Sequence, residues 1–200
     1  MKAAAIRWAS VLALAACAAT LTQCVPSRRV NVVYQPPLVV PREPDPKLPP
    51  VVVVVADKRA TPVVGEPIGA FGEKEGKMLS ESGAPNALHK AFDIELRNRG
   101  FAIGGGGNEV RVTLSFFQSQ YVHPLFWTRV VASIGIDVAV RRPNGTLVYD
   151  RFIVGQSERE AETHFESDQT WASDALNAAM KDAIAQAFSD SDFLAALSQR

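Results

Sequence analysis

Few side chains in this 200-residue chain offer obvious chemistry. Cys17 and Cys24 are its only cysteines, so residues 25–200 form no disulfide and packing alone must hold them. Three histidines, His89, His123 and His164, stand in three separate stretches. None has the spacing of a metal pair and no thiol lies near to complete a site, so no metal is expected. Glu158, Glu160, Glu162, Glu166 and Asp168 gather around His164. Hard cations want such carboxylate oxygens, but the first three alternate with period two, as on the solvent side of a strand end. Gly104 to Gly107 could cradle a phosphate only by opening a helix. Asn108 leads into a strand pattern instead, so a turn is expected there and no cofactor. Serines are plentiful, yet no Gly-x-Ser-x-Gly elbow occurs.

The thiols carry the clearest message. Lys2 and Arg7 make a basic start, Trp8 to Ala16 are apolar or small, and Leu14-Ala15-Ala16 runs directly into Cys17. That is a secretory leader with a cysteine where cleavage falls. It resembles a bacterial lipoprotein signal, in which the thiol takes a diacylglyceryl group and the cysteine becomes the acylated (palmitate-type) N-terminus. Leu21-Thr22-Gln23-Cys24 has the same outline, but Gln23 is bulky where the peptidase prefers a small residue. Cys17 therefore fits better, although acylating it leaves Cys24 as a lone thiol in an oxidising compartment. A plain secretory leader is the bland alternative. The apolar run is short of the ~20 residues a spanning helix requires. Stable attachment takes more than one acyl chain, which the triacylated cysteine implied by the resemblance exceeds. The residue after either cysteine, Ala18 or Val25, is not Asp, which in enteric-type bacteria reads as export to the outer membrane. The expected location is the bacterial envelope, on the periplasmic face of the outer membrane.

The rest of the chain must be positioned by that anchor. Twenty-one basic and 21 acidic residues cancel, with a pI near 6.8, so no basic stripe for nucleic acid is expected. Eight of the thirteen prolines fall between Val25 and Pro50. Proline fixes φ and removes a donor, so this stretch predicts a polyproline-like tether, able to hold a domain about 80 Å away at ~3.1 Å per residue. The expected layout is a leader over 1–16 (1–23 if Cys24 is acylated), an acylated tether over 17–50 and a periplasmic domain over 51–200.

Val51 to Val55 predicts a strand covered on both faces. A short hairpin is expected from Ile68 to Phe71 and Lys77 to Ser80. Pro85 to Arg99 predicts a helix, with Leu88, Ala91, Phe92 and Leu96 on one face and Gly100 as the stop. Val110, Val112, Leu114 and Phe116 alternate with polar residues, and so do Ala132 to Val140, which predicts strands with one buried face. Asn144-Gly145 predicts a tight hairpin turn. Asp168 starts a long apolar stripe from Trp171 to Phe188, and Ser189-Asp190-Ser191 breaks and recaps it before a short last helix. The fold class is α+β, an antiparallel sheet with a long C-terminal helix and a shorter helix packed on one face as a two-layer sandwich.

Ala56-Asp57-Lys58-Arg59 after the valine strand and Arg99 to Ile103 closing a helix are similar to landmarks of the YajG-like bacterial lipoproteins. So are the Ser115-to-Tyr121 strand end, the Asn144-Gly145 turn and Asp190 before Leu194 and Leu197. The resemblance spans about residues 51–198. It implies no catalytic residues.

The chain departs from that family between Tyr121 and Thr128, where Val122-His123-Pro124-Leu125-Phe126-Trp127 is apolar. Large apolar residues at a hairpin tip mark a partner contact, so Tyr121, Leu125, Phe126 and Trp127 are the candidate contact residues. Folding back onto the long helix is the alternative. The expected role is non-catalytic, binding or structural, toward an envelope protein or cell-wall material. An enzyme using Asp57 or the Glu158-to-Asp168 run, or a holder of an apolar ligand for a transport assembly, is the competing reading.

Overall fold

The computed structural model describes residues 27–36, 42–67, 74, 76–80, 83–122, 128–161 and 168–199. Among them are seven strands: β1 (Ser27–Val30), β2 (Val51–Asp57), β3 (Val63–Gly65), β4 (Lys77–Ser80), β5 (Asn108–Val122), β6 (Thr128–Arg141) and β7 (Leu147–Ala161). The helices are α1 (Ala84–Asn98), α2 (Asp168–Ser189) and α3 (Ser191–Ser198). The strands form one open sheet in the order β1-β4-β3-β5-β6-β7, with β2 also on β5.

The sheet is mostly antiparallel, but β1–β4, β2–β5 and β3–β5 are parallel, which corrects the all-antiparallel expectation. Alternation along a strand reports which face is buried and is silent on direction. The outer edge of β5 is shared, with β2 beside its first half and β3 reaching it at Ser119. Lys77–Ser80 is the strand expected, but its hairpin partner is Val63–Gly65; residues 68–71 lie outside the described residues. The valine strand is covered on one face only. Val51 and Val53 are buried, whereas Val54 is exposed.

A register shift between Leu114 and Phe116 changes the phase of β5. Before it Val110, Val112 and Leu114 face the core; after it Phe117, Ser119 and Tyr121 do. Phe116, expected on the buried face, is thereby turned to the other one. Its ring covers Gly135, where a Cβ would come within 2.3 Å of it, and lies 6.3 Å from that of Phe152, which is 50% exposed. Bulges make such switches by adding one unpaired residue.

Ala172, Ala175, Leu176, Ala179, Met180, Ala183, Ile184, Ala187 and Phe188 of α2 are all buried. The helix lies on β6 and β7 so closely that a Cβ on Gly155 would meet the Ala179 carbonyl oxygen at 2.2 Å. Phe188 joins α2 to α1 through Phe92 (5.4 Å) and to α3 through Phe193 (5.3 Å). The Asn-Gly turn forms as expected, with Gly145 at φ 84 and its N–H donating to Arg142 O.

Residues 27–50 depart most from expectation. β1 is an edge strand of the sheet, and Val30, Val32 and Tyr34 are buried with the main core. Val33 N–H donates to Asn177 Oδ1 at 2.9 Å, and the Ser173 hydroxyl donates to Asn31 O, so the stretch is fixed to α2. Further on, Asp45 N–H donates to Gly100 O, and Leu48 packs on the core before β2 begins. Over its described residues the expected tether is a strap across the domain. Valines and a tyrosine at alternate positions outweigh the proline content here, because each can be buried while its backbone stays extended.

Candidate functional site

The described residues proposed for chemistry do not converge. Cys17, Cys24, Leu125, Phe126, Trp127, His123, His164, Glu162 and Glu166 lie outside the described residues. Tyr121 is described, and it corrects the expectation of a contact residue: it is 5% exposed and its hydroxyl sits 3.7 Å from Met78 Sδ. The phase shift in β5 is the reason, since it turns Tyr121 inward. Gly104 to Gly107 lead into β5 rather than a helix, and Gly107 lies so close to Pro50 O that a Cβ would stand 1.8 Å away. His89 is on α1 with Nδ1 3.5 Å from Asp93 Oδ2.

Asp57 is tied down rather than poised. Arg59 Nε donates to its Oδ1 at 2.9 Å and Nη2 to Oδ2 at 2.8 Å, holding the carboxyl below its usual range. Glu158 accepts from Arg129 on the neighbouring strand. Among the described residues no group of three or more His, Cys, Asp or Glu could hold a metal ion.

Two side-chain networks emerge, each completed by a residue far away in the chain. In the first, Glu95 of α1 is 6% exposed, accepts from Tyr34 Oη at 2.5 Å and is paired with Arg99 one turn on. The Arg99 guanidinium also lies 4.4 Å from the centre of the Phe188 ring. Burial, and then the Glu95 carboxylate, push the Tyr34 hydroxyl well above an ordinary phenol. The Glu95–Arg99 pair was visible as i,i+4, but its partner lies 61 residues away.

The second network lines a recess of about 480 Å³ between β7 and α3. Asp190 caps α3, its Oδ1 accepting from Asp192 N–H at 2.9 Å, while Oδ2 accepts from Tyr149 Oη (2.8 Å) and Arg151 Nη1 (2.6 Å). The Arg151 guanidinium, then the Tyr149 hydroxyl, lower the Asp190 carboxyl to about 2. A carboxyl made more acidic by folding adds stability above its unfolded value near 3.8, and that contribution is lost as pH falls toward 2. Asp190→Asn keeps one acceptor oxygen for the cap but removes the charge and the second oxygen that Tyr149 and Arg151 share. The variant is expected to unfold at a lower temperature near neutral pH, the gap closing between about pH 4 and pH 2. Thermal midpoints across that range check this; a gap unchanged down to the acid end contradicts it.

A second recess, about 460 Å³, is bordered by Thr61, Gly65, Glu66 and Gln118 to Tyr121. Among the described residues its border carries one carboxylate, Glu66, and that is bound to Lys74. Among the described residues no helix is long and apolar enough to cross a membrane.

With this geometry in view, the comparisons decide the family. A family model described as "Uncharacterized lipoprotein" (Lipoprotein_16) matches residues 47–198. The chain belongs to this lipoprotein family. The YajG-like resemblance agrees with the match, and no curated protein matches the sequence. A crystal structure from Xanthomonas campestris, of a protein assigned to DUF330, aligns with a TM-score of 0.52 and 14% identity, over 80% of this chain and 91% of that one. At that identity the likeness is one of fold. A minor lipoprotein from Acinetobacter baumannii aligns less well, with a TM-score of 0.40 and 9% identity over 68% of this chain and 89% of that one. A putative neuraminyllactose-binding hemagglutinin homolog from Helicobacter pylori gives 0.41 and 11%, over 84% and 97%. Both scores are too low to carry an argument.

Proposed function

We propose that the protein is an acylated lipoprotein of the bacterial envelope, held through Cys17 or Cys24 at the periplasmic face of the outer membrane. Its two-layer α+β body has a binding or structural role rather than a catalytic one. The observation that carries this reading is a leader ending at a cysteine, followed by a body matched over residues 47–198 to a lipoprotein family.

The chemistry of the carboxylates supports a non-catalytic body. A general acid working near neutral pH needs a carboxyl raised toward that pH. Among the described residues the carboxyls that shift, Asp57, Glu66 and Asp190, all shift downward, each held by Arg or Lys. Among the described residues the inner faces of the helices and the sheet share one buried core, which argues against an apolar ligand between them.

The partner is an envelope protein or cell-wall material, and Leu125, Phe126 and Trp127 are the contact we assign to it. Replacing Phe126 and Trp127 by Ser is expected to leave the unfolding temperature near that of the parent while reducing crosslinking to envelope partners in cells. A large fall in that temperature would return the two residues to the core.

Feeding an alkyne fatty acid to a bacterial host tests the anchor. The parent is expected to take up label and to sediment with membranes, and Cys17→Ser to lose both if Cys17 is the acylated residue. The Cys17→Ser/Cys24→Ser double variant should lose both in either case. Membrane sedimentation of the double variant, unlabelled, would refute the reading.

A further inference from the structure

We infer that the end of the sheet where β1 begins rests on the lipid surface, while the opposite end points away from it. This deepens the anchor reading and depends on it. The register places Arg28, Met78, Gly65, Ser119, Ala132 and Ser157 in one row across the sheet. Ser27 and its neighbour Lys77 stand one step outside that row, as Gln120 does on β5. Val52, Glu109, Arg141 and Leu147 make a second row at the other end. Ser119 and Glu109 are ten residues apart on β5, so the two rows are about 33 Å apart. The Asn144-Gly145 turn lies beyond the second row. The last described residues lie there too, because Asn108 Nδ2 donates to the carbonyls of Leu197 and Gln199.

The chain leading to the anchor is short compared with that distance. Ser27 is three residues after Cys24 and ten after Cys17. Fully extended, those linkers reach about 10 Å and about 35 Å, and a flexible ten-residue linker averages only about 17 Å. From Cys24 the body cannot stand with its far row on the lipid surface and its near row raised away from it, and from Cys17 it does so only with the linker pulled straight. The strap provides no slack. Val30 and Val32 are buried, Val33 is bonded to Asn177 and Tyr34 to Glu95, so residues 27–36 stay on the body. At the near end Arg29 and Lys77 are exposed on adjacent strands, cations suited to anionic headgroups, with the exposed Glu158 and Glu160 set across the sheet on β7. The occupant of this end is therefore the lipid surface that holds the anchor, and because Val122 and Arg129 stand at the same end, a partner of Leu125, Phe126 and Trp127 is one met at that surface. The recess bounded by Tyr149, Arg151 and Asp190, near the opposite end, is carried away from that surface.

The test uses the full acylated chain, purified from a bacterial host, in vesicles of phosphatidylethanolamine and phosphatidylglycerol that contain a lipid with a quencher on its headgroup. A coumarin amino acid replaces Gln120 in one variant and Asn144 in the other, which leaves the cysteines untouched. Quenching is expected to be several-fold stronger at 120 than at 144. Equal or reversed quenching, in protein that floats with the vesicles, would overturn the orientation and leave the anchor standing. Protein that fails to float would overturn the anchor and this inference with it.

Discussion

A protein shortened to begin at Val51 is expected to be far less stable than one beginning at Ser27. The shortened chain loses the burial of Val30, Val32 and Tyr34, the first two only 1% exposed. Fully burying such side chains contributes about 1.5–3 kcal/mol each, offset by the entropy of ordering the chain that carries them. It also strips β4 of its edge partner, leaving backbone donors and acceptors of Lys77–Ser80 unpaired. Glu95 loses Tyr34, and the surfaces of α1 and α2 that the strap covers become exposed. A net loss of roughly 3–5 kcal/mol would lower the unfolding temperature by about 10 °C or more in a domain of this size. Equal thermal midpoints for the two chains would mean that residues 27–50 are a passive leash after all.

Arg99→Ala should produce the second large effect. Glu95 is nearly sealed from water, and Arg99 is its charged partner. Removing one member of a buried pair costs about 3–5 kcal/mol because the other charge is left uncompensated. Arg99 is about one-third exposed, so water softens that penalty; loss of the contact with the Phe188 ring adds to it. About 3 kcal/mol is the expected net cost, read from denaturant unfolding. Adding Glu95→Gln to Arg99→Ala should recover part of it, since a neutral amide no longer needs the cation. A cost below about 1 kcal/mol, the range of a surface ion pair, would show that Glu95 is effectively solvated.

The parts of this fold that the sequence displayed are those whose signal is local. The stripe from Trp171 to Phe188, the recap at Asp190 and the Asn144-Gly145 turn each rest on residues a few positions apart in the chain, and each formed where expected. Long-range pairing was hidden. Ser27–Val30 is four residues long in a proline-rich setting, and its partner β4 lies 50 residues on, so nothing nearby marks it as a strand. The phase change between Leu114 and Phe116 was invisible because Ser115 fits either face of an alternating pattern. That one residue decides that Tyr121 is core and Phe116 is not. The direction of β2 on β5 was equally silent, as five valines pair well both ways. Of the candidate site, the expectation at Cys17 and Cys24 rests on a local pattern, a cysteine after small residues in a leader, and both lie outside the described residues. The Tyr34–Glu95–Arg99 and Tyr149–Arg151–Asp190 groups were not legible, because folding alone brings their members together.

The reading stands on a lipid carried by a leader cysteine and a body that starts to fold a few residues later. Intact-mass spectrometry of the mature protein from a bacterial host tests this most directly. The predicted result is a chain beginning at Cys17 or Cys24 with the added mass of a diacylglyceryl group and an amide-linked acyl chain. A chain with its leader uncut, or cut elsewhere and carrying no lipid on either cysteine, would contradict it.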